Sequence, residues 1–313
     1  MELRKDYILD RWVVIASNRG KRAQQHKNNK HGRWVEFCAF CAGNEHVTPP
    51  EIYRIPDGDS WKIRVFANKF PAFDMNGDFK INTHNKYFTF SHAYGAHEII
   101  VETSDHYKEF TDMSSEEINE VLRVYKLRIE ELSKMEGIKY VLVVKNNGFE
   151  ACESIIHSHS QVFAYNKIPS LIKEEVEANK GGCKYCNVVE IEKKSDRRCF
   201  ENECFVAFTP YASRFNYEVW IFPKKHIKNL TEMNNSGLMY LADIIKSVLV
   251  KLKELGASYN FVLHQSPEGE DLHFHIEIMP RISTWAGFEF GSDDVINTVP
   301  PEDAAKFYRG EEA

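Results

Sequence analysis

The run His157-Ser158-His159-Ser160-Gln161 is the part of the sequence that decides the fold. Side chains alternate between two faces of an extended strand, so His157, His159 and Gln161 point the same way. A strand that only fills a sheet has no need of two imidazoles and a carboxamide on one face. A neutral imidazole is a good nucleophile near pH 7, and an amide N–H can bond a phosphate oxygen that gains charge. The run therefore predicts a strand that supports attack on phosphorus.

Length and composition limit the class of protein. A chain of 313 residues is long enough for two domains of ordinary size, and 43% hydrophobic with 27% charged residues is typical of a soluble globular protein. The net charge of −6 argues against broad nucleic-acid binding, and no apolar run is long enough to span a membrane. The first residues lack the apolar core of a signal peptide, so we expect a cytoplasmic protein. The seven cysteines then indicate thiols or metal ligands instead of disulfides.

The order of motifs repeats along the chain, which predicts an internal duplication. In the first half the motifs are Cys38-x-x-Cys41, a strand at 97–101 with Glu98 near its start, His106, a helix from about Ser114 to Met135, a strand at 140–144 and His157-x-His159. In the second half they are Cys183-x-x-Cys186, a strand at 217–221 with Glu218 near its start, His226, a helix from about Ser236 to Leu255, a strand at 260–263 and His273-x-His275. Each half mixes antiparallel strands with a long helix, so we predict an α+β fold with halves at residues 1–178 and 179–313.

The paired cysteines and histidines predict two metal sites. The first set is Cys38, Cys41, His106 and His157, and the second is Cys183, Cys186, His226 and His273. Two thiolates and two imidazoles hold Zn²⁺ tetrahedrally, and four protein ligands make a closed, structural site. A metal on the first histidine of the run would fix the orientation of the second. In the second half Glu277 stands where the first half has Gln161, and a carboxylate would repel phosphate, so we expect only the first half to be catalytic.

Several segments together resemble one family. They are 10–22, Cys38-Ala-Phe-Cys41-Ala-Gly-Asn44, Asn68-Lys69-Phe70-Pro71-Ala72, the HxHxQ run, Pro223-Lys224-Lys225-His226, His273-Phe-His275 and Gly287-Phe288-Glu289. The chain is similar over nearly its whole length to the galactose-1-phosphate uridylyltransferases of the histidine-triad superfamily. The resemblance implies a duplicated histidine-triad-like domain, with an antiparallel sheet and a long helix in each half.

The resemblance also implies a double-displacement reaction. The second histidine of the run attacks the α-phosphate of a nucleotide sugar such as UDP-glucose or UDP-galactose, and the nucleotide then passes to a hexose 1-phosphate. By position, His159 is the nucleophile and Gln161 binds the transferred phosphate. The positions that match substrate-binding residues of the family are Arg19, Arg22, Asn68, Asn146, Ser154, Phe288 and Glu289. A homodimer is implied as well, and neither nucleic acid nor membrane is expected as a partner.

Two departures from the family pattern leave alternatives open. Uridylyltransferases commonly have proline between the two histidines, whereas this chain has Ser158, as do relatives that transfer adenylyl groups. The alternative function is therefore an ADP-glucose or dinucleoside-polyphosphate phosphorylase, with phosphate as the acceptor. The segment 291–294 also carries two acids where the phosphorylases have a Gly-Thr-Gly turn, which bears on how a second phosphate would bind.

The second metal site has a competing ligand set. Some family members bind iron through a carboxylate and three histidines, and the matching residues here are Glu175, His264, His273 and His275. His273 cannot serve both sets, and we favour the cysteine set because its spacing repeats that of the first half. Two other classes of protein are a non-catalytic zinc module that binds nucleotides and a metal-dependent hydrolase. The complete HxHxQ run argues against the first class, and closed metal sites argue against the second.

Overall fold

The computed structural model describes residues 2–15, 37–56, 58 and 60–311. The strands in these residues are β1 (Glu2–Lys5), β2 (Trp12–Ile15), β3 (Glu51–Ile55), β4 (Ile63–Ala67), β5 (Asn82–His84), β6 (Phe88–Phe90), β7 (Gly95–Val101), β8 (Tyr140–Asn147), β9 (His159–Tyr165), β10 (Arg198–Glu201), β11 (Phe205–Phe208), β12 (Val219–Pro223), β13 (Tyr259–His264), β14 (His275–Pro280) and β15 (Val295–Asn297). The α-helices are α1 (Ser115–Leu132), α2 (Ser170–Ala178), α3 (Lys184–Glu192), α4 (Asn235–Leu255), α5 (Gly287–Ser292) and α6 (Pro301–Arg309). None of these helices combines the length and the apolar content that a membrane crossing needs.

One sheet of ten strands forms the centre of the fold, in the order β10-β11-β12-β14-β13-β8-β9-β7-β4-β3. All pairings between neighbouring strands in it are antiparallel. The order is symmetric about the junction of β8 and β13, because β8, β9, β7, β4 and β3 occupy the same positions as β13, β14, β12, β11 and β10. The predicted α+β fold with a duplicated arrangement is therefore confirmed, and the two halves share a single sheet.

The two long helices, α1 and α4, lie side by side on one face of this sheet. The Ser114 hydroxyl accepts the backbone N–H of Glu117, and the Glu117 carboxylate accepts that of Ser114, so a capping box starts α1 as predicted. α4 ends at Leu255 and is capped by Gly256, whose φ of +62° suits a residue without a Cβ. The helix predicted to reach Met135 ends at Leu132, because the Met135 N–H bonds the Leu132 carbonyl in a tighter turn.

Two shorter helices, α2 and α3, cover part of the opposite face. They flank the predicted boundary between residues 178 and 179, where Ile172 and Val176 of α2 are buried and pack with Tyr185 of α3 and Phe222 of β12. α2 is helical because its few apolar residues lie four apart and so share one face. The boundary between residues 178 and 179 falls at the end of α2 and remains a prediction.

A small second sheet, in the order β1-β2-β15, joins the two ends of the described chain. β15 pairs with β2 in parallel, and β1 pairs with β2 in antiparallel fashion. The Arg4 guanidinium lies 3.0 Å from a carboxylate oxygen of Glu302 in α6, and the Tyr7 hydroxyl donates to Glu192 in α3. The first strands therefore pack with residues of the second half.

Candidate active site and metal centres

The HxHxQ run leads into β9, which lies among the strands of the first half of the sheet. β9 begins at His159 and lies between β7 and β8. Gln161 is half-buried, whereas Ser160 and Val162 on either side of it are buried. Ser160 points toward α1, where its hydroxyl lies 2.5 Å from that of Tyr125. His159 and Gln161 therefore share the face of the sheet opposite α1 and α4, as strand alternation predicts.

His159 is held in one tautomer. Its Nδ1 lies 2.8 Å from the carbonyl oxygen of His157. A carbonyl oxygen only accepts hydrogen bonds, so Nδ1 carries the proton and Nε2 keeps its lone pair. Burial, with a further contribution from the charge of Lys145, lowers the pKa of His159 to about 4. The imidazole is therefore neutral at pH 7, and a neutral imidazole nitrogen with a free lone pair is chemically able to act as a nucleophile.

Gln161 is bound by a residue that the sequence analysis did not single out. The Gln161 Oε1 atom lies 2.8 Å from Nε2 of His97, which is on the neighbouring strand β7. Asn68, predicted to bind substrate, lies just after β4, with its side-chain nitrogen 3.1 Å from the same atom of His97. The HxHxQ run does not reveal this partner, because His97 is distant in the sequence and isolated there.

A buried ion pair lies on the other face of β9. Lys145 Nζ lies 2.6 Å from a carboxylate oxygen of Glu102, and both side chains are fully buried. The same ammonium group donates to the Ser158 hydroxyl at 3.0 Å and to the His159 carbonyl at 3.1 Å. Burial alone would raise the pKa of Glu102, but Lys145 and the hydroxyls of Ser158 and Ser160 hold it below its ordinary value. The serines of the run therefore bind a charged network that fixes the backbone of His159.

The first predicted metal site comes together in space. The ligand atoms of Cys38, Cys41, His106 and His157 all lie within 4.8 Å of one another. The closest sulfur–Nδ1 distances are 3.4 and 3.6 Å, and S and N ligands of a tetrahedral zinc are about 3.5 Å apart. His157 Nε2 donates to the Thr103 carbonyl at 2.7 Å, which leaves Nδ1 for a metal. This donor set fits a structural Zn²⁺.

The pKa of Cys41 bears on whether this cluster holds a cation. Burial and the neighbouring Cys38 raise the pKa of Cys41 to about 11. Two adjacent sulfurs therefore do not both lose their protons at neutral pH unless a metal ion compensates their charge. The chemistry of these side chains and the distances between them therefore both suit a metal ion.

The second cysteine set has the same geometry. The ligand atoms of Cys183, Cys186, His226 and His273 also lie within 4.8 Å of one another. Sulfur–Nδ1 distances run from 3.4 to 3.8 Å. His226 Nε2 lies 2.9 Å from an Asp271 carboxylate oxygen, and His273 Nε2 donates to a backbone carbonyl at 3.0 Å. Both rings thus direct Nδ1 toward the cysteines, which fits a second Zn²⁺.

A third cluster bears on the alternative ligand set of Glu175, His264, His273 and His275. It consists of Glu175, His264, His275 and Glu277. The alternative set that included His273 does not form, because His273 is turned toward the cysteines and Glu277 takes its place. Burial alone would lower the pKa of His264, but the charges of Glu175 and then Glu277 raise it to about 9. His264 Nδ1 lies 3.0 Å from a carboxylate oxygen of Glu175.

Strand register corrects one match made from the sequence. Gln161 and Glu277 hold equivalent positions on β9 and β14, and each pairs with a residue of the next strand. Counting from these pairs makes His97 the equivalent of Glu218, so the match of Glu98 with Glu218 is wrong by one residue. A shift of one residue turns a side chain to the other face of a sheet. Glu98 indeed faces α1, where an arginine binds it at 2.7 Å.

Two further predicted substrate residues lie near β9 and the run that leads into it. Val144 of β8 pairs with Gln161, so Asn146, two residues later, shares the face of Gln161. The Asn146 Oδ1 atom accepts the side-chain N–H of Asn260 at 2.8 Å. Ser154 is exposed in the connection that leads into the HxHxQ run. The structure therefore brings Asn146 to the side of the sheet that carries His159.

Phe288 and Glu289, also predicted to bind substrate, lie elsewhere in the structure. Phe288 and Glu289 are on α5, which packs on β15 of the small sheet. A Glu289 oxygen accepts the Ala286 N–H at 2.9 Å and so caps α5, while Phe288 is exposed. Their helix therefore belongs with the small sheet, whereas His159 belongs to the large one. Arg19 and Arg22 lie outside the residues that the structure describes.

Comparison with protein families and curated sequences points to a single family. The family model for the galactose-1-phosphate uridyl transferase N-terminal domain matches residues 2–169. The ADP-glucose phosphorylase of Arabidopsis thaliana is 32% identical over 98% of this chain and 92% of its own length. The galactose-1-phosphate uridylyltransferase of Thermotoga maritima is 29% identical over 99% of this chain and 98% of its own length.

Solved structures agree with the sequence comparison. The crystal structure of an ADP-glucose phosphorylase from Arabidopsis thaliana with bound ADP-glucose covers all of this chain, with a TM-score of 0.86 and 30% identity over 99% of that chain. A structure of uridylyltransferase has a TM-score of 0.76 and 26% identity, and covers 99% of this chain and 98% of its own. The chain therefore belongs to the galactose-1-phosphate uridyl transferase family, as the sequence motifs predicted, and is a nucleotidyltransferase.

Proposed function

We propose that this protein transfers a nucleotidyl group through His159 in two displacement steps. In the first step, Nε2 of His159 attacks the α-phosphorus of a nucleotide sugar. A P–N bond forms while the bond from phosphorus to the sugar 1-phosphate oxygen breaks. In the second step, a phosphate oxygen of the acceptor attacks the same phosphorus, and the P–N bond breaks to restore the neutral imidazole. The observation that carries this proposal is the 2.8 Å hydrogen bond from Nδ1 to the His157 carbonyl, which leaves Nε2 unprotonated.

Gln161 is proposed to bind the phosphate during transfer. It shares with His159 the face of the sheet opposite α1 and α4, and its amide nitrogen can donate to an oxygen that gains negative charge. Phosphoryl transfer depends mainly on positioning and charge stabilisation. Lys145, 3.1 Å from the His159 carbonyl, supports that positioning from beneath the strand. The proposed substrate contacts outside the strand remain those of the sequence analysis: Arg19, Arg22, Asn68, Asn146, Ser154, Phe288 and Glu289.

Uridylyl exchange between hexose 1-phosphates is the first candidate reaction, with UDP-glucose or UDP-galactose as donor. The matching family model and the Thermotoga maritima relative both carry that activity in their names. The second candidate is adenylyl transfer from ADP-glucose to phosphate. It is favoured by the relative at 32% identity and by the structure at a TM-score of 0.86, both of them ADP-glucose phosphorylases.

The donor can be identified by labelling the protein. Donors labelled at the α-phosphate, namely UDP-glucose, ADP-glucose and diadenosine tetraphosphate, are incubated separately with the protein and no acceptor. We expect the true donor to leave an acid-labile label on the chain, because phosphoramidates hydrolyse in acid. Galactose 1-phosphate and inorganic phosphate are then added, and the acceptor is the compound that removes the label. Failure of all three donors to label the protein would contradict the proposed reaction.

We further propose Zn²⁺ at both cysteine centres, each with a structural role. Cys38, Cys41, His106 and His157 would hold the first ion, and Cys183, Cys186, His226 and His273 the second. The bound metal would supply rigidity, since four protein ligands leave no position for water. The third cluster offers two carboxylates and two imidazoles, ligands that suit iron, so iron should be measured beside zinc. A homodimer is proposed from the family resemblance.

Substituting Cys41 by serine should remove the first zinc and destabilise the protein. A serine hydroxyl is a poor zinc ligand, and loss of a metal that stabilises only the folded state lowers the melting temperature. The measurement is zinc content per chain by mass spectrometry of metals, together with the melting temperature. Cys152→Ser is the matched control, because Cys152 is exposed and belongs to none of the clusters in the described part of the chain. An unchanged zinc content in Cys41→Ser would contradict the proposed first zinc centre.

A further inference from the structure

The tautomer of His97 follows from its two ring contacts. The backbone N–H of Ala72 donates to His97 Nδ1 at 3.1 Å. A nitrogen that accepts a hydrogen bond carries no proton, so the proton of the neutral ring is on Nε2. Burial lowers the pKa of His97, which favours this neutral form. The ring is stacked on Phe163, with centroids 4.1 Å apart, so it is also fixed in orientation.

The orientation of Gln161 follows from that of His97. Nε2–H of His97 donates to the Gln161 Oε1 atom at 2.8 Å. The oxygen of the amide therefore faces β7, and its NH₂ group faces the other way. That NH₂ group has no hydrogen bond to any residue that the structure describes. The Asn68 amide nitrogen is close to the same His97 atom, but both carry hydrogen there, so this contact is not a hydrogen bond.

The second half shows that the sheet does not need this pair. The residues at the positions of His97 and Gln161 are Glu218 and Glu277. Burial, and then the charge of Glu277, raise the pKa of Glu218 to about 8. Two acids at these positions present no amide N–H, although the strands pair in the same antiparallel order. The histidine–glutamine pair therefore accompanies the half that carries HxHxQ, which indicates a role in the reaction.

We propose that His97 is a positioning residue that orients the Gln161 amide for phosphate binding. The inference rests on the proposed role of Gln161 and deepens it. An amide is free to present either its oxygen or its nitrogen, and the two differ only by rotation of about 180°. His97 selects one of them, because its Nε2–H binds the oxygen. Without this donor the amide oxygen could face the anionic phosphate, and the two would repel each other.

Two variants of His97 test its role as a hydrogen-bond donor to Gln161. His97→Phe keeps a flat ring over Phe163 and removes the donor, whereas His97→Gln keeps an N–H group. We expect His97→Phe to lower the rate of nucleotidyl-enzyme formation by about 10- to 100-fold when the nucleotide substrate is saturating. The KM for that substrate should change by less than about threefold. His97→Gln should recover part of the rate. His84→Phe, on the exposed strand β5, is the control and should keep the full rate. A wild-type rate in His97→Phe would overturn the proposal.

A double-mutant cycle separates positioning from a general structural effect. If His97 acts through Gln161, then adding His97→Phe to Gln161→Ala should change the rate by less than about twofold. If His97→Phe lowers the rate by the same factor in both backgrounds, its effect is independent of Gln161 and the proposal fails. The melting temperature of each variant is measured in parallel. If His97→Phe does not fold, the same cycle is run with His97→Gln, whose partial loss of rate should likewise vanish when Gln161 is absent.

A measurement without turnover distinguishes this proposal from the proposed function. ¹⁵N NMR of the His97 ring in the wild-type protein should show a proton on Nε2 and none on Nδ1, and Gln161→Ala should shift the Nε2 signal. This result is expected whether or not a donor labels the protein. Absence of label with the expected tautomer would contradict the proposed reaction alone. A proton on Nδ1 would overturn the positioning role alone.

Discussion

Replacement of His159 by asparagine is expected to abolish nucleotidyl transfer without unfolding the protein. An amide nitrogen has no lone pair available for attack on phosphorus, so no P–N bond can form. Removal of a nucleophile from other enzymes lowers the rate by several powers of ten, and we expect a loss of about 10⁴-fold or more here. The measurement is the initial rate of nucleotide exchange with the donor identified by labelling.

The controls for this variant address folding and metal content. The zinc content and melting temperature of His159→Asn should stay close to those of the wild-type protein, because His159 belongs to none of the metal clusters in the described residues. His84→Asn, which changes an exposed histidine, should keep full activity. Undiminished turnover in His159→Asn would contradict the mechanism.

Replacement of Lys145 by methionine is expected to destabilise the fold strongly. In the native protein the Lys145 ammonium group lies 2.6 Å from the Glu102 carboxylate. Methionine fills a similar volume but leaves that carboxylate buried without its cation. Removing one partner of a buried ion pair costs about 3–5 kcal/mol of unfolding free energy. The change should appear in urea unfolding as a lower midpoint. The remaining folded protein should also transfer nucleotide more slowly, since the His159 carbonyl loses a hydrogen bond.

A pair with a solvent-exposed carboxylate provides the matched control for Lys145. Lys193 lies 2.8 Å from Glu190 on α3, where the glutamate is largely exposed. Lys193→Met should cost less than about 1 kcal/mol, because solvent screens such pairs. The double variant Glu102→Gln/Lys145→Met should recover part of the stability lost in Lys145→Met, since it removes the unpaired charge. Equal costs for Lys145→Met and Lys193→Met would show that the buried pair does not stabilise the fold.

Local signals allowed much of the fold and of the site to be predicted. Capping at Ser114 and the apolar period of 3.6 residues locate α1, and alternation along β9 places His159 and Gln161 on one face. The two clusters of cysteine and histidine were predicted because each cysteine pair is close in sequence and the histidines follow in the same order twice. These features depend on spacing alone, which a single sequence contains.

Non-local pairing accounts for what the sequence did not reveal. That β8 pairs with β13, and so joins both halves in one sheet, depends on contacts between residues more than a hundred positions apart. His97 is 64 residues from Gln161, and only the register of β7 against β9 shows that they meet. Glu277 was interpreted by comparison with Gln161 alone, whereas its surroundings include Glu175 and His264 from other elements.

The most direct test of the mechanism is to locate the nucleotidyl group on the chain. The protein is incubated with its donor without acceptor, digested at neutral pH, and analysed by mass spectrometry. We predict one nucleotidyl group, on the peptide that contains His159, and its loss when the acceptor is added. A nucleotidyl group on another residue, or rapid exchange with no modified peptide, would contradict the proposed route through His159.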